Sequence, residues 1–309
     1  MFRRSYKCLS GSLIEEDSDE PDVLGLISAS SGIAKHRRNE NRRNCFGDDA
    51  CFVAHHHSAD VIGVADGVGG WRNHGIDPSR FSHSMMSTCA QLVFGGHFKP
   101  YELRKLIADT YVAVKDGSAL RKTNGYSGNG DALPDYIFGS STICIAALER
   151  RASQIHTANL GDSGFLLFRN SKLVWRSAAQ LHQSNIPFQI ALLPEDQHIN
   201  SIRDGPETAD INSFDVRIGD CVLIGTDGLF DNLPVELIEE EMASLKSYER
   251  SEMQALSKTI VQKAKTFSLQ SEFPAYFAQK LRRRGGKPDD ITVVVAVVAQ
   301  VGQEAVYAV

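Results

Sequence analysis

The chain has 309 residues, a formal net charge of −5 and an apolar share of 42%, to which 25 glycines add. An apolar share near one half is that of a globular protein, which excludes a largely disordered chain, a coiled coil and a disulfide miniprotein. The acidic balance argues against a nucleic-acid binder, and no uncharged stretch reaches the roughly 20 residues that a membrane span requires.

The N-terminus is split in composition. Residues 1–14 carry Arg3, Arg4 and Lys7 and no acid, whereas residues 15–22 hold six acids. An acid-free start with Arg and Ser resembles a mitochondrial transit peptide. Mitochondrial localisation is therefore the expectation, with cytoplasm or nucleus as the alternative. A second basic run, KHRRNENRR, covers 35–43. Such a run reads by default as a solvated loop. Residues 1–43 are assigned to a targeting-like or disordered segment, 44–300 to one catalytic domain and 301–309 to a tail.

Strand character marks 50–54 and 60–66. Phe81, Met85, Cys89 and Leu92 follow helical spacing, as do Leu103, Ile107, Tyr111 and Val114. Residues 116–135 are rich in glycine and polar side chains and read as an exposed loop. Short strands follow at 139–148, 153–159, 163–168, 172–176 and 220–225. Residues 234–245 and 252–267 read as helices, and the β-branched run 291–299 as a buried closing strand. Strands mixed with grouped helices predict an α+β fold around one core. The six cysteines form no Cys-x-x-Cys pair, and Cys89, Cys144 and Cys221 lie in apolar runs. They read as small hydrophobes in a reducing compartment.

Four acidic motifs sit at strand ends: Gly47-Asp48-Asp49-Ala50, Ala65-Asp66-Gly67, Thr226-Asp227-Gly228 with Asp231, and Pro288-Asp289-Asp290-Ile291. Any one alone reads as a turn. Together they place acids beside uncharged strands, at the rim of the core. Carboxylates gathered there repel one another, and a hard divalent cation removes that penalty. Oxygen donors without His or Cys favour Mg²⁺ or Mn²⁺ over Zn²⁺. Paired ions of this kind activate water and hold an in-line displacement at phosphorus.

The order of GDDACF (47–52), VADGVGG (64–70), TANLGDSGF (157–165), GDCVLIGTDGLFDN (219–232) and PDDITVVV (288–295) resembles the metal-dependent serine/threonine protein phosphatases of type 2C. The segments 67–82, 182–189 and 284–293 resemble the family's short mitochondrial branch. The resemblance implies two antiparallel sheets packed as a central sandwich between helix pairs, in α-β-β-α layers. It implies phosphoprotein substrates, hydrolysis of phosphoserine and phosphothreonine, and two Mg²⁺ or Mn²⁺ ions that activate the attacking water. A monomer is expected. Asp66 would bridge both ions, Asp227 and Asp289 would complete one site, and Asp48 with the carbonyl of Gly67 the other. Asp49, and with it Asp231, would orient water. Asp49 and Asp290 stay open as alternatives to Asp48 and Asp289.

Two positions depart from the family pattern. Val68 stands where members often have a general-acid His, which leaves a metal-bound water or another donor for the leaving group; His74 is one such nearby donor, against the reading of a lone loop His as simply exposed. Asn44 stands where an Arg usually grips phosphate, so Arg42 or Arg43 is assigned that role, for which a forked guanidinium is suited. Other constellations read as structural. Cys144 and Arg150 have thiol-phosphatase spacing, but the residues between them contain no glycine for a phosphate loop. His55, His56 and His57 read as a hairpin, and Asp162 as a turn-former rather than a ligand. The alternative function is a catalytically idle relative that scaffolds phosphoproteins. Its mark would be a missing metal acid, and all the expected acids are present.

Overall fold

The computed structural model describes residues 8–9, 12–13, 23–35, 46–124, 137–183, 185–194 and 202–302. A short pair, β1 (Cys8–Leu9) with β2 (Ser12–Leu13), precedes the long strand β3 (Val23–Ile33). The hairpin β4 (Asp49–His56) and β5 (Ala59–Asp66) follows, and a 3-10 turn (Gly69–His74) leads to α1 (Pro78–Phe94) and α2 (Leu103–Asn124). Next come β6 (Gly139–Ser141), β7 (Ile143–Glu149), β8 (Gln154–Leu160), β9 (Gly164–Arg169) and β10 (Lys172–Arg176). The short strands β11 (Leu181–Gln183), β12 (Ile186–Pro187) and β13 (Ile190–Leu192) lead to β14 (Asp210–Asp215) and β15 (Cys221–Gly225). Helices α3 (Asp227–Phe230), α4 (Val235–Ala243), α5 (Arg250–Ser268) and α6 (Ala275–Leu281) precede the final strand β16 (Ile291–Val301).

Two five-stranded antiparallel sheets carry the fold, ordered β14-β8-β7-β5-β4 and β10-β9-β15-β16-β3. Strand β16 explains their stacking. Val294, Ala296 and Val298 enter the layer between the sheets, with Ile62 and Val64 of β5 and Phe165 and Leu167 of β9. The alternate residues Val293, Val295 and Val297 turn outward to Met253, Leu256, Ile260 and Val261 of α5. A strand buried on both faces loses its polar alternation, which is why it reads as one apolar run. On the far side, Val61 and Ala65 of β5 meet Phe81, Met85 and Cys89 of α1 and Ile107 of α2. The result is the four-layer α-β-β-α arrangement that the resemblance implies. Its apolar interior falls into three layers, one between each pair of neighbours, where the sequence predicts one core.

Helix α1 starts where its sequence specifies: Asp77 accepts from the Ser79 N–H, and Pro78 occupies the first turn. The predicted 116–135 loop is partly wrong. Helix α2 continues to Asn124, because Ala119 to Lys122 are strong helix formers that outweigh Gly117. Residues 125–136 lie outside the described residues. The predicted 139–148 strand is divided into β6 and β7.

The N-terminal boundary also needs correction. Residues 23–33, assigned by sequence to the 1–43 appendage, are a full strand paired with β16 from Val23 to Ile33. The pairing is antiparallel and continuous along the whole strand, with β3 forming one edge of the five-stranded sheet, so the folded unit starts well before residue 44. Strand β16 likewise runs on to Val301, into the predicted tail. The basic start, the acid run 15–22 and Arg42 and Arg43 lie outside the described residues. Among the described residues, no helix is long and apolar enough to cross a membrane.

Candidate metal and active site

The strand termini gather at one end of the sandwich. Asp49, the first residue of β4, lies directly opposite Asp66, the last of β5. Gly225, ending β15, pairs with Gly164 at the start of β9 and with Val293 near the start of β16. The acids that follow or precede these ends, Asp66, Asp162, Asp227 and Asp289, are therefore brought to one place by register alone.

The backbone around them is held firmly. The Asp66 N–H donates to Thr142 Oγ1 at 3.1 Å, and the Asp66 carbonyl accepts from Ser141 Oγ at 2.8 Å and from the Thr142 N–H at 3.0 Å. Thr226 Oγ1 donates to Asp49 Oδ2 at 2.8 Å and accepts from the Thr292 N–H at 3.1 Å, tying β4 to β16. Two glycines are required by close approach. A Cβ on Gly67 would stand 2.8 Å from the carbonyl oxygens of Asp48 and Pro78, and one on Gly228 would stand 1.9 Å from that of Asp290.

Carboxylate oxygens of Asp66, Asp162 and Asp227 lie within 4.8 Å of one another, close enough to share one cation. Sequence reads Asp162 as a turn-former outside the ligand set; the structure places it inside this cluster. The Asn-Leu-Gly-Asp-Ser-Gly turn gives no sign of this, because it is the β8–β9 connection that carries Asp162 to the end of β15. Burial, reinforced by Asp49, Asp227, Asp162 and Asp289, pushes the Asp66 carboxyl well above the usual range. Burial and Asp290 do the same to Asp49, and burial with Asp227 raises Asp162 to about 7. Asp49 Oδ1 and Asp162 Oδ1 are buried and accept no hydrogen bond. Orphaned acceptors of this kind are costly unless a cation or water meets them.

Basic side chains answer part of this charge. Lys287 reaches the carboxylates of Asp227 and Asp231, the latter at 2.9 Å, and lies 3.6 Å from Asp289 Oδ2. Burial alone would discharge that ammonium, but Asp227 and Asp231 outweigh it and keep it charged. Its peptide is clamped by buried Asn232, which accepts from the Lys287 N–H and donates to the Lys287 carbonyl, both at 2.8 Å. Arg72 forks onto Asp48, with Nη1 to Oδ2 at 2.5 Å and Nη2 to Oδ1. Arg283 reaches Asp231 at 3.1 Å. Neither Lys287 nor Arg72 is singled out by sequence, where each reads as an ordinary loop cation.

The paired acids have different surroundings. Asp290 accepts from the backbone N–H groups of Lys35 and Asp48, the latter at 2.7 Å, and so braces the entry to β4. Asp289 faces Lys287 and, at 3.8 Å, Lys35. Asp48 carries Arg72 at its surface, while Asp49 is wholly buried. His74 is exposed at the end of its turn, its ring 6.0 Å from that of Trp71. Cys144 is buried in β7, where burial pushes its thiol up, and Arg150 is paired with Asp60. That constellation holds no thiolate and no phosphate loop. The His tract lies at the β4–β5 hairpin, with His55 bound to Asp60 and His56 to Ser58.

Acidic oxygens with no imidazole or thiolate among them, two of them orphaned, fit a hard divalent cation. Such an ion, when bound, polarises water and phosphoryl oxygens.

Comparison with known proteins agrees with this chemistry. A family model described as stage II sporulation protein E (SpoIIE) matches residues 62–299. A zebrafish (Danio rerio) protein, protein phosphatase PTC7 homolog, is 41% identical over 301 residues, 95% of each chain. The human (Homo sapiens) protein phosphatase PTC7 homolog is 42% identical over 283 residues, 89% of this chain and 88% of that one. Among solved structures, the photosystem II phosphatase PBCP superposes with a TM-score of 0.65 at 24% identity, over 90% of this chain and 99% of that one. The Streptococcus agalactiae (S. agalactiae) serine/threonine phosphatase gives a TM-score of 0.54 at 16% identity, over 89% and 99%.

Proposed function

We propose, from the premise that this chain belongs to the SpoIIE/PP2C-type phosphatase family and is a metal-dependent serine/threonine protein phosphatase, a division of labour among its acids. The substrates are proteins phosphorylated on serine or threonine. The observation that carries the metal assignment is the cluster of Asp66, Asp162 and Asp227, with the orphaned Oδ1 of Asp162 inside it and that of Asp49 beside it. Two ions, Mg²⁺ or Mn²⁺, are the natural occupants of a site built from oxygen donors alone. They supply an activated water and neutralise charge on the phosphoryl group.

When bound, the ions would be held by Asp66, with Asp227 and Asp289 serving one and Asp48 and the Gly67 carbonyl the other. Asp49, fixed by Thr226, and Asp231 orient water. No side chain need become a covalent carrier, which agrees with the buried, protonated thiol of Cys144. The basic, acid-free residues 1–14 support mitochondrial targeting. A C-terminally tagged chain then concentrates in mitochondria, and deletion of residues 1–20 disperses it.

The activity test is hydrolysis of an aryl phosphate and of a phosphoserine peptide with Mn²⁺ and with EDTA. Metal-dependent turnover that Asp66→Asn and Asp227→Asn abolish is the expected result. Equal rates in EDTA, or full activity in either variant, would overturn the assignment and leave the scaffold reading.

A further inference from the structure

The acids described above hold cations, but the group to be cleaved is an anion. A phosphoryl dianion also needs donors with a geometry that fits its oxygens. The residues assigned to that task by sequence, Arg42 and Arg43, lie outside the described residues, while another guanidinium is paired with Asp48, the neighbour of Asp49 in the chain.

Arg72 lies in the 3-10 turn that starts two residues after Gly67. The fold anchors this turn by its neighbour. Trp71 is 4% exposed, and its indole N–H donates to Ser140 Oγ at 2.6 Å. The Val68 N–H donates to the Ser140 carbonyl at 3.0 Å, and Gly75, at φ 73°, closes the turn with an N–H on the Arg72 carbonyl. A large buried side chain thus fixes the backbone while the next one is presented outward. The Arg72 side chain is 41% exposed, runs back over Gly69, and places its fork on Asp48.

This arrangement leaves capacity unused. A guanidinium has five N–H donors in one plane, and Asp48 engages two nitrogens of Arg72 on one edge. The side chain remains partly exposed to solvent beside Asp48. Lys287 differs: it is 19% exposed and its ammonium is turned inward to Asp227, Asp231 and Asp289.

We propose that Arg72 binds the phosphoryl group of the substrate, and the inorganic phosphate product, beside Asp48. The inference rests on the phosphatase reading above. Asp48 holds the guanidinium in position, and the anchored Trp71 turn keeps it beside Asp48 in the absence of substrate. Binding of this kind favours Arg over Lys, because a fork matches two phosphoryl oxygens and an ammonium does not.

The experiment uses the full chain with Mn²⁺ and inorganic phosphate as the probe. Calorimetry measures Mn²⁺ binding first, then phosphate binding to the Mn²⁺-loaded protein, for the wild type, Arg72→Met, Arg72→Lys and Arg42→Met/Arg43→Met. Steady-state kinetics on a phosphoserine peptide are taken alongside, and thermal melting reports folding. The expected result is a phosphate Kd and a KM raised about tenfold in Arg72→Met, with Mn²⁺ affinity retained. Arg72→Lys recovers part of the loss. A phosphate Kd within twofold of wild type in both Arg72 variants overturns the inference. So does a parallel loss of Mn²⁺ binding, which would make Arg72 a support for Asp48, or a phosphate defect found only in the Arg42/Arg43 variant. Failure of the wild type to bind Mn²⁺ would refute the phosphatase reading itself and is seen separately, in the first titration.

Discussion

Asp49 and Asp66 face each other as register partners at the open end of the β4–β5 hairpin, two carboxylates on neighbouring strands. Like charges directly opposite in a sheet are destabilising, and burial makes the conflict worse. The pair is tolerable when protonated or when a cation lies against it. Its presence in the fold therefore reads as stability given up for binding.

Replacing Asp49 tests that trade directly. Asn at 49 keeps an acceptor for Thr226 Oγ1 and removes the charge beside Asp66. Mn²⁺ affinity and turnover should fall by about 10–100-fold, the usual loss when a group supporting ligands is removed. The chelated protein should melt higher, by about 2–4 °C. Calorimetry and thermal melts in EDTA measure both. A lower melting temperature together with weaker binding would mark Asp49 as merely structural.

The raised carboxyls also set a pH dependence. For Asp162 the folded pKa is about 7 against 3.8 for the free side chain, and Asp49 and Asp66 are shifted in the same direction. The folded state thus binds more protons than the unfolded one between those values. Its stability from these groups is fully present below about pH 3.8 and is lost as pH rises through the folded pKa. Metal-free protein should therefore lose the Asp162 contribution between about pH 3.8 and about 7, and saturating Mn²⁺ should reverse that loss. Metal binding near pH 6 should release protons, read as a buffer-dependent calorimetric enthalpy. No buffer dependence would refute the prediction.

Lys287 is a tethered cation among the proposed ligands. Its ammonium answers Asp227 and Asp231 in the metal-free protein, and it competes with any ion that takes their oxygens. Lys287→Met should therefore act with opposite signs: a lower melting temperature in EDTA and a tighter Mn²⁺ Kd, by about tenfold for one buried charge pair. A purely structural lysine would lower both stability and affinity.

The central sheets and the set of acids are legible in sequence for physical reasons. Strand β16 is buried on both faces, so its code is an unbroken apolar run; the four acidic motifs stand out because each abuts such a strand. Strand β3 is hidden because Ser and Gly interrupt its apolar positions: Leu24 and Leu26 face the layer between the sheets and Ile27, Ala29 and Ile33 the α5 side, with small or polar residues between them. Ser31 Oγ bonds Gln254 and Ser257 of α5, and Gln254 Nε2 donates to the Ser30 carbonyl at 2.9 Å. No hydrophobic period marks such a strand. Asp162, Arg72 and Lys287 are hidden for a different reason. Each sits in a loop of ordinary composition, and only strand register brings it to the other acids. Local pattern does not encode that distance.

The thiols supply the last prediction. Cys89 and Cys221 are pushed up to about 12 by burial, and Cys144 is raised further in the same way. None is a thiolate near neutral pH, and the thiolate is the reactive form. A phosphatase that relied on Cys144 would lose activity on alkylation and in Cys144→Ala. In this fold Cys144 is instead a small apolar group in the layer between the sheets, opposite Val64 of β5. Cys144→Ala should leave kcat within about twofold and cost stability only modestly, on the order of 1–2 kcal/mol for a small core truncation. Iodoacetamide applied to the folded, Mn²⁺-loaded enzyme should spare activity while the unfolded chain is alkylated. Rapid inactivation that follows modification of Cys144 would place the chemistry on sulfur and remove it from the carboxylates.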